Sequence, residues 1–196
     1  MRFLHWFAGL VLVVELPVPI YWLVLHGGLG FWRKRERGRL PYWLAAGAAW
    51  GPGVWMLYHF RANLFAAADR PLWAIVLGVV LMAADVAVLF IVEAQLGGRR
   101  LVGQTELTGS GALAEGGLYA WVRHPRYLGM MLGVLGVCLL AGSRQLWLVA
   151  AVWWIAAMVI IWLEERELRD RFGAAYAAYA ARVPALVPIR LGRRRQ

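Results

Sequence analysis

The residues best placed to do chemistry stand in two blocks. The first is Arg123-His124-Pro125-Arg126-Tyr127-Leu128-Gly129, a polar loop that runs directly into an apolar stretch beginning at Met130. The second is Glu164-Glu165, which closes the next apolar run. Charged side chains at the mouths of apolar helices are expensive to bury and are usually held for a ligand. Pro125 lacks an N–H, suits the first turn of a helix and biases His124 toward an extended backbone. Arg123 and His124 are therefore expected just before a helix N-terminus. There, free N–H groups and the positive end of the helix dipole attract an anion.

The glutamates are not equivalent. Glu165 and Arg169, Arg166 and Asp170, and Glu167 and Arg171 stand at i,i+4 and can pair along a solvated helix face. Glu164 has Leu168 at i+4 and Glu167 at i+3, so no local cation claims it. It is the preferred ligand-binding acid, with Glu165 beside it. Singly, Arg123 reads first as an ordinary positive-inside arginine, His124 as an interfacial histidine, and Tyr176 and Tyr179 as packing residues. A site is favoured only if Arg123 and His124 lie opposite Glu164. The single cysteine, Cys138, lies in an apolar run, which excludes a disulfide framework and a cysteine metal site. No metal-ligand cluster, strand-linked glycine loop or serine–histidine motif accompanies these blocks.

The elements that must position them follow from composition. Of 196 residues, 62% are hydrophobic and the mean hydropathy is +0.59. This points to an all-α integral membrane protein. About five transmembrane helices can be drawn, near residues 3–25, 40–59, 72–95, 127–142 and 146–163, followed by a C-terminal amphipathic helix. The first segment carries only Arg2 as a charged leader and no small-residue cleavage site, so it reads as a span rather than a signal peptide. Residues 1–95 form a three-helix scaffold and residues 96–196 the functional part of a single domain. Pro17 and Pro19 should kink the first span. Glu15 and Asp85, at similar depth, read first as polar contacts to backbone freed by the prolines; the alternative is that they meet, one of them protonated, on a proton or substrate path. Gly129 and Gly133 form a small-xxx-small pair that admits a close helix neighbour. The Gly142-Ser143 turn predicts a tight hairpin that brings Arg123 and Glu164 to one membrane face. Leu168, Phe172, Tyr176 and Tyr179 share a face at helical spacing, up to Val183-Pro184. Residues 97–114 read as a glycine-rich loop.

The net charge of +10 reads as topology. With the N-terminus outside, 17 of the 21 basic residues fall in cytoplasmic segments; Arg2, Arg61, Arg70 and Arg144 stay outside. The positive-inside rule favours this orientation, with the C-terminus in the cytoplasm. The basic segments then face anionic membrane lipids, and nucleic acid is not an expected partner. Trp6, Trp22, Trp32, Trp43 and Trp147 lie near the expected interfaces, as an aromatic belt would.

The pattern Gly117-x-Tyr119-x-x-x-Arg123-His124-Pro125-x-Tyr127-x-Gly129 resembles the loop of the isoprenylcysteine carboxyl methyltransferase and phospholipid methyltransferase superfamily. The second block is similar too: Glu164-Glu165, then Phe172-Gly173, Tyr176, Tyr179, Val183-Pro184 and Pro188. The resemblance covers roughly residues 100–190. It implies an S-adenosylmethionine-dependent methyltransferase of the cell (inner) membrane, releasing S-adenosylhomocysteine, with its site on the cytoplasmic side. It implies Arg123 and Glu164 as catalytic residues. The cofactor-binding set it implies is Tyr119, Arg123, His124, Pro125, Tyr127, Gly129, Glu164, Glu165, Tyr176 and Tyr179, with no metal. The expected acceptor is a lipophilic small molecule from the bilayer, an isoprenoid-like carboxylate first and a phospholipid amine second. Its tail would lie along residues 158–163. That stretch lacks the arginine that prenylcysteine methyltransferases typically carry shortly before the glutamate pair, which weighs against a prenylated protein. The competing class is a non-enzymatic small transporter or assembly protein, for which Glu15 and Asp85 are the support. A membrane reductase ranks last, because it needs more spans.

Overall fold

The computed structural model describes residues 2–28, 30–31, 40–65, 70–97 and 111–188. The arginine-rich stretches 33–39, 99–100 and 190–195 and most of the glycine-rich loop lie outside the described residues, as does Trp32. Among the described residues every regular element is a helix. They are α1 (Arg2–Glu15), α2 (Val18–Gly27), α3 (Leu40–Leu64), α4 (Leu72–Leu96), a 3-10 turn (Gly117–Ala120), α5 (Pro125–Ala141), α6 (Arg144–Phe172) and α7 (Ala174–Arg182).

Three stretches are long and apolar enough to cross a membrane: His5–Gly27, which spans α1 and α2, then Leu72–Leu96 and Arg144–Phe172. The five-span expectation is met only in these three by length and composition. Helix α5 is apolar but has 17 residues, about 25 Å at 1.5 Å per residue. That falls short of a hydrocarbon core of about 30 Å. Helix α3 has 25 residues, but glycines, Pro52, His59, Arg61 and Asn63 dilute its apolar character.

The prolines break the first span as expected, between Glu15 and Val18. Pro19 has no N–H to offer the Glu15 carbonyl four residues back. The Trp153 Nε1 of α6 donates to that carbonyl instead, at 2.9 Å. A carbonyl orphaned by the kink is thus satisfied across the bundle, as buried backbone groups require.

Helix α5 lies against α4 along its glycine face. A Cβ on Gly133 would run into the Asp85 carboxylate, so only glycine admits that side chain there. Gly142, in the left-handed region at φ +62°, ends α5, and Ser143 caps α6 by accepting from the Leu146 N–H at 3.3 Å. Two residues therefore reverse the chain, and the predicted α5–α6 hairpin forms. The core lies where α1, α5 and α6 meet, around Leu12, Met130, Val134, Leu146, Ala150 and Ile160.

The predicted continuous amphipathic helix is interrupted. Gly173, at φ +51°, stops α6, and the nine-residue α7 starts afresh. Leu168, Phe172, Tyr176 and Tyr179 still share one apolar cluster, joined by Val183 and Leu113. Side-chain periodicity survived the break because the turn swings α7 back over the same face.

Candidate active site

His124 caps the N-terminus of α5 and Pro125 fills its first position. The backbone N–H groups of Arg123 and His124 donate to the carbonyls of Pro184 and Ala185, at 2.9 and 3.0 Å. The N–H groups expected to await an anion are therefore engaged, because the chain after α7 doubles back beside the loop. This clasp pins the loop to residues 61 positions further on.

The Arg123 guanidinium ties the same segment to α6. Its Nε donates to Glu165 Oε1 at 3.0 Å, and its Nη2 pairs with the same oxygen. Its Nη1 donates to the carbonyls of Ala180, at 3.1 Å, and Val183, at 2.6 Å. Four of its five N–H groups are thus engaged. Two of them cap the C-terminal end of α7, where carbonyls lack helical partners and a cation is favoured. His124 is buried, with Nε2 3.3 Å from Glu165 Oε1 and Nδ1 3.7 Å from Glu164 Oε2. A histidine thus sits between two carboxylates from the far end of the hairpin.

Glu165 is the hub of this cluster. It is buried, and its second oxygen accepts from Arg169 at 2.7 Å. Glu164 is more open, with its side chain 27% exposed. Glu167 pairs with Arg171 at 4.0 Å, but its side chain is only 11% exposed, so it does not lie on the solvated face expected of it. Tyr127 is buried, with its ring edge-on to His124 at 5.9 Å.

Helix α7 supplies the lid of the cluster. Tyr179 Oη donates to the Tyr119 carbonyl at 2.7 Å and so braces α7 against the 3-10 turn. Tyr176 is fully buried, edge-on to Tyr179, and its hydroxyl has no hydrogen-bond partner among the described residues. Burial pushes both phenols up to about 12; the carboxylate of Glu165 adds to the shift at Tyr176.

The expected site residues therefore divide. Arg123, His124, Tyr127, Glu164, Glu165 and Tyr176 come together, with Pro125 shaping the turn. Tyr119 and Tyr179 form a brace at its side. Gly129 faces elsewhere, toward Val88 and Asp85 of α4. The apolar stretch 158–163 also divides. Ile160 and Ile161, on the Glu164 face, are buried in the core, whereas Met158, Val159 and Trp162 are exposed on the opposite side. Of the stretch expected to line the acceptor's tail, the exposed face is therefore Met158, Val159 and Trp162.

One residue was missed. Arg126 donates to Asp85 Oδ1 at 2.6 Å and to Glu15 Oε1 at 2.5 Å. The two acids do meet at similar depth, bridged by a guanidinium. The signal was available: Arg126, Gly129 and Gly133 fall at i, i+3 and i+7, on the face that approaches α4.

Helices of membrane length, with a histidine–carboxylate–guanidinium cluster at one end of a hairpin, define a helical membrane protein with a polar site at the rim of its bundle. The phospholipid methyltransferase family profile matches residues 73–175, just over half of the chain, and the chain belongs to that family. It is 42% identical over 73 residues to methanethiol S-methyltransferase 1 of Bradyrhizobium diazoefficiens, covering 37% of this chain and 25% of the relative. It is 36% identical over 78 residues to the protein-S-isoprenylcysteine O-methyltransferase of Schizosaccharomyces pombe, covering 39% of this chain and 33% of the relative. The chain thus spans a quarter to a third of the length of these curated relatives. No solved structure matches it.

Proposed function

We propose that the protein is an S-adenosylmethionine-dependent methyltransferase that acts on a lipophilic acceptor with an isoprenoid-like carboxylate, at the cytoplasmic membrane face. The observation that carries this reading is the His124–Glu164–Glu165–Arg123 cluster, which lies within the stretch that matches the family and is roofed by Tyr176 just beyond it. Two features fit a cationic, hydroxyl-rich cofactor: the half-buried Glu164 carboxylate, which has the His124 imidazole beside it at 3.7 Å, and the buried Tyr176 hydroxyl, which has no hydrogen-bond partner among the described residues. When bound, the cofactor supplies a methyl group already activated on a sulfonium. The protein's part is then to orient and to exclude water. Glu164 holds the ammonium or ribose hydroxyls, and the rings of Tyr127 and Tyr176 form the walls. Arg123 is a positioning residue in this scheme: it locks Glu165 and the end of α7, which leaves His124 and Glu164 facing the ligand. The remaining members of the implied set, Tyr119, Pro125, Gly129 and Tyr179, shape the turn and the helix contacts around them.

Calorimetry with S-adenosylhomocysteine tests the site. Glu164→Gln is expected to weaken binding by on the order of 1.5–3 kcal/mol, roughly ten- to a hundredfold. Asp170→Asn, on the exposed face of α6, should bind as the unaltered protein does. Equal affinities for the two variants would remove Glu164 from the site.

The acceptor is tested by incubating purified protein with labelled S-adenosylmethionine and a total lipid extract. A carboxylate is ionised at neutral pH and needs no base, so its methylation should be flat from about pH 6 to 9. A thiol or amine must first lose a proton, and its rate should rise across that range. The similarity to methanethiol S-methyltransferases favours a thiol as the second reading. A methyl ester releases methanol in mild base and a thioether does not, which separates the two.

A further inference from the structure

The cluster on the other side of α5 has no part in the scheme above. Arg126 bridges Glu15 of α1 and Asp85 of α4, and both acids have side chains only 3% exposed. Ionisable groups inside a helical bundle are costly, and removing one member of such a pair leaves an uncompensated charge. Glu15 Oε2 is also buried without a hydrogen-bond partner among the described residues. An arrangement this expensive calls for a reason beyond filling space.

Its connections supply one. His124 is the N-cap of α5 and Arg126 stands two residues on, in its first turn; Arg126 meets the acids of α1 and α4, and His124 meets those of α6. Holding Arg126 against α1 and α4 therefore fixes how the start of α5, with His124 just before it, meets α6. The same Glu15 is held to α6 through its backbone carbonyl, by Trp153 Nε1 at 2.9 Å. Glu15 is thus tied to both helices of the hairpin, by its carboxylate to α5 and by its carbonyl to α6. These are the helices that carry His124 and the Glu164-Glu165 pair. Gly133 leaves the room in which Asp85 completes the contact.

We infer that Glu15 is a positioning residue, which through Arg126 and Trp153 sets the rotation of α5 against α6 and so aims His124 at Glu164 and Glu165. The inference rests on the methyl-transfer reading for its consequence in binding, but not for its geometry. It assigns a role in the site to α1, which lies before the stretch that matches the family.

The test reads His124 directly. The protein has four histidines, so 15N-histidine labelling in detergent micelles gives few signals, and His124→Gln assigns the one that matters. Glu15→Leu is expected to move the His124 imidazole resonance and to weaken S-adenosylhomocysteine binding about tenfold. Glu15→Gln keeps an oxygen for Arg126 and should bring back most of both. An unmoved His124 signal in folded Glu15→Leu overturns the inference, whatever happens to the melting temperature. If Glu15→Leu does not fold, Trp153→Phe carries the test: it keeps an aromatic ring but removes the donor to the Glu15 carbonyl, and the same resonance must move. A moved signal in a protein that binds no S-adenosylhomocysteine even when unaltered supports the positioning role and sinks the methyltransferase reading. Normal binding by the unaltered protein, with neither signal nor affinity changed in Glu15→Leu, does the reverse.

Discussion

Glu165 accepts from Arg123 and Arg169 and touches His124, while Glu164 stands half-open beside the same histidine. Neutralising each should therefore have different consequences. Glu165→Gln strips a buried carboxylate from guanidinium partners and is expected to lower stability by about 3 kcal/mol. Glu164→Gln should leave stability within about 0.5 kcal/mol and affect ligand binding instead. Thermal unfolding in detergent, run on both variants, checks the contrast; similar melting points would mean that the two acids share one role. Tyr179 offers a second check. Its hydroxyl must be protonated to donate to Tyr119, and burial holds its phenol up to about 12. A group whose folded value lies above its ordinary one of about 10 adds stability that is complete below pH 10 and is lost as pH climbs toward 12. Alkaline unfolding should therefore steepen above pH 10, and Tyr179→Phe should reduce that component, with Tyr176 supplying the rest, at a cost of about 1 kcal/mol at neutral pH. Spacing alone identified Glu164 as the acid without a local partner. It could not reveal that Arg123 would be consumed by Glu165 and two carbonyls, because those contacts reach 42 to 60 residues along the chain.

Helix ends and helix contacts carry the next set of consequences. Gly142 sits at φ +62° with the Arg70 guanidinium against it, and Arg70 Nη2 reaches the Ala141 carbonyl at 3.4 Å. Gly142→Ala should cost about 1 kcal/mol for the left-handed backbone alone. Gly133→Ala drives a methyl into the Asp85 carboxylate and should loosen α4 from α5, lowering the melting temperature more than Gly142→Ala does. A larger loss at Gly142 would contradict the packing order described above. The kink at Pro17, the hairpin at Gly142-Ser143 and the cap at Pro125 were readable because each follows from one residue's backbone chemistry. The break at Gly173 was hidden by an apolar period that runs straight through it. Arg126 was hidden by counting it as a loop charge, although it stands on the glycine face.

At the scale of the whole molecule, the arrangement is a proposal about sidedness as well as chemistry. The cluster lies at the ends of α5 and α6 away from Gly142, and the basic residues of the sequence favour that end as cytoplasmic. A reporter active only in the cytoplasm, fused after Gln196, should be active; a reporter signal from the far side would move the site to the opposite face. Composition made the helical membrane character legible, but not the number of crossings: α3 and α5 fall short by polarity and by length. The clasp between Arg123-His124 and Pro184-Ala185 has one more consequence, in time. A ribosome adding roughly 5–20 residues per second needs several seconds to travel from the first pair to the second. Throughout that interval α5 can insert into the bilayer while its loop remains unclasped. The clasp therefore closes late in biogenesis, and a chain stalled before Pro184 would enter the membrane without it.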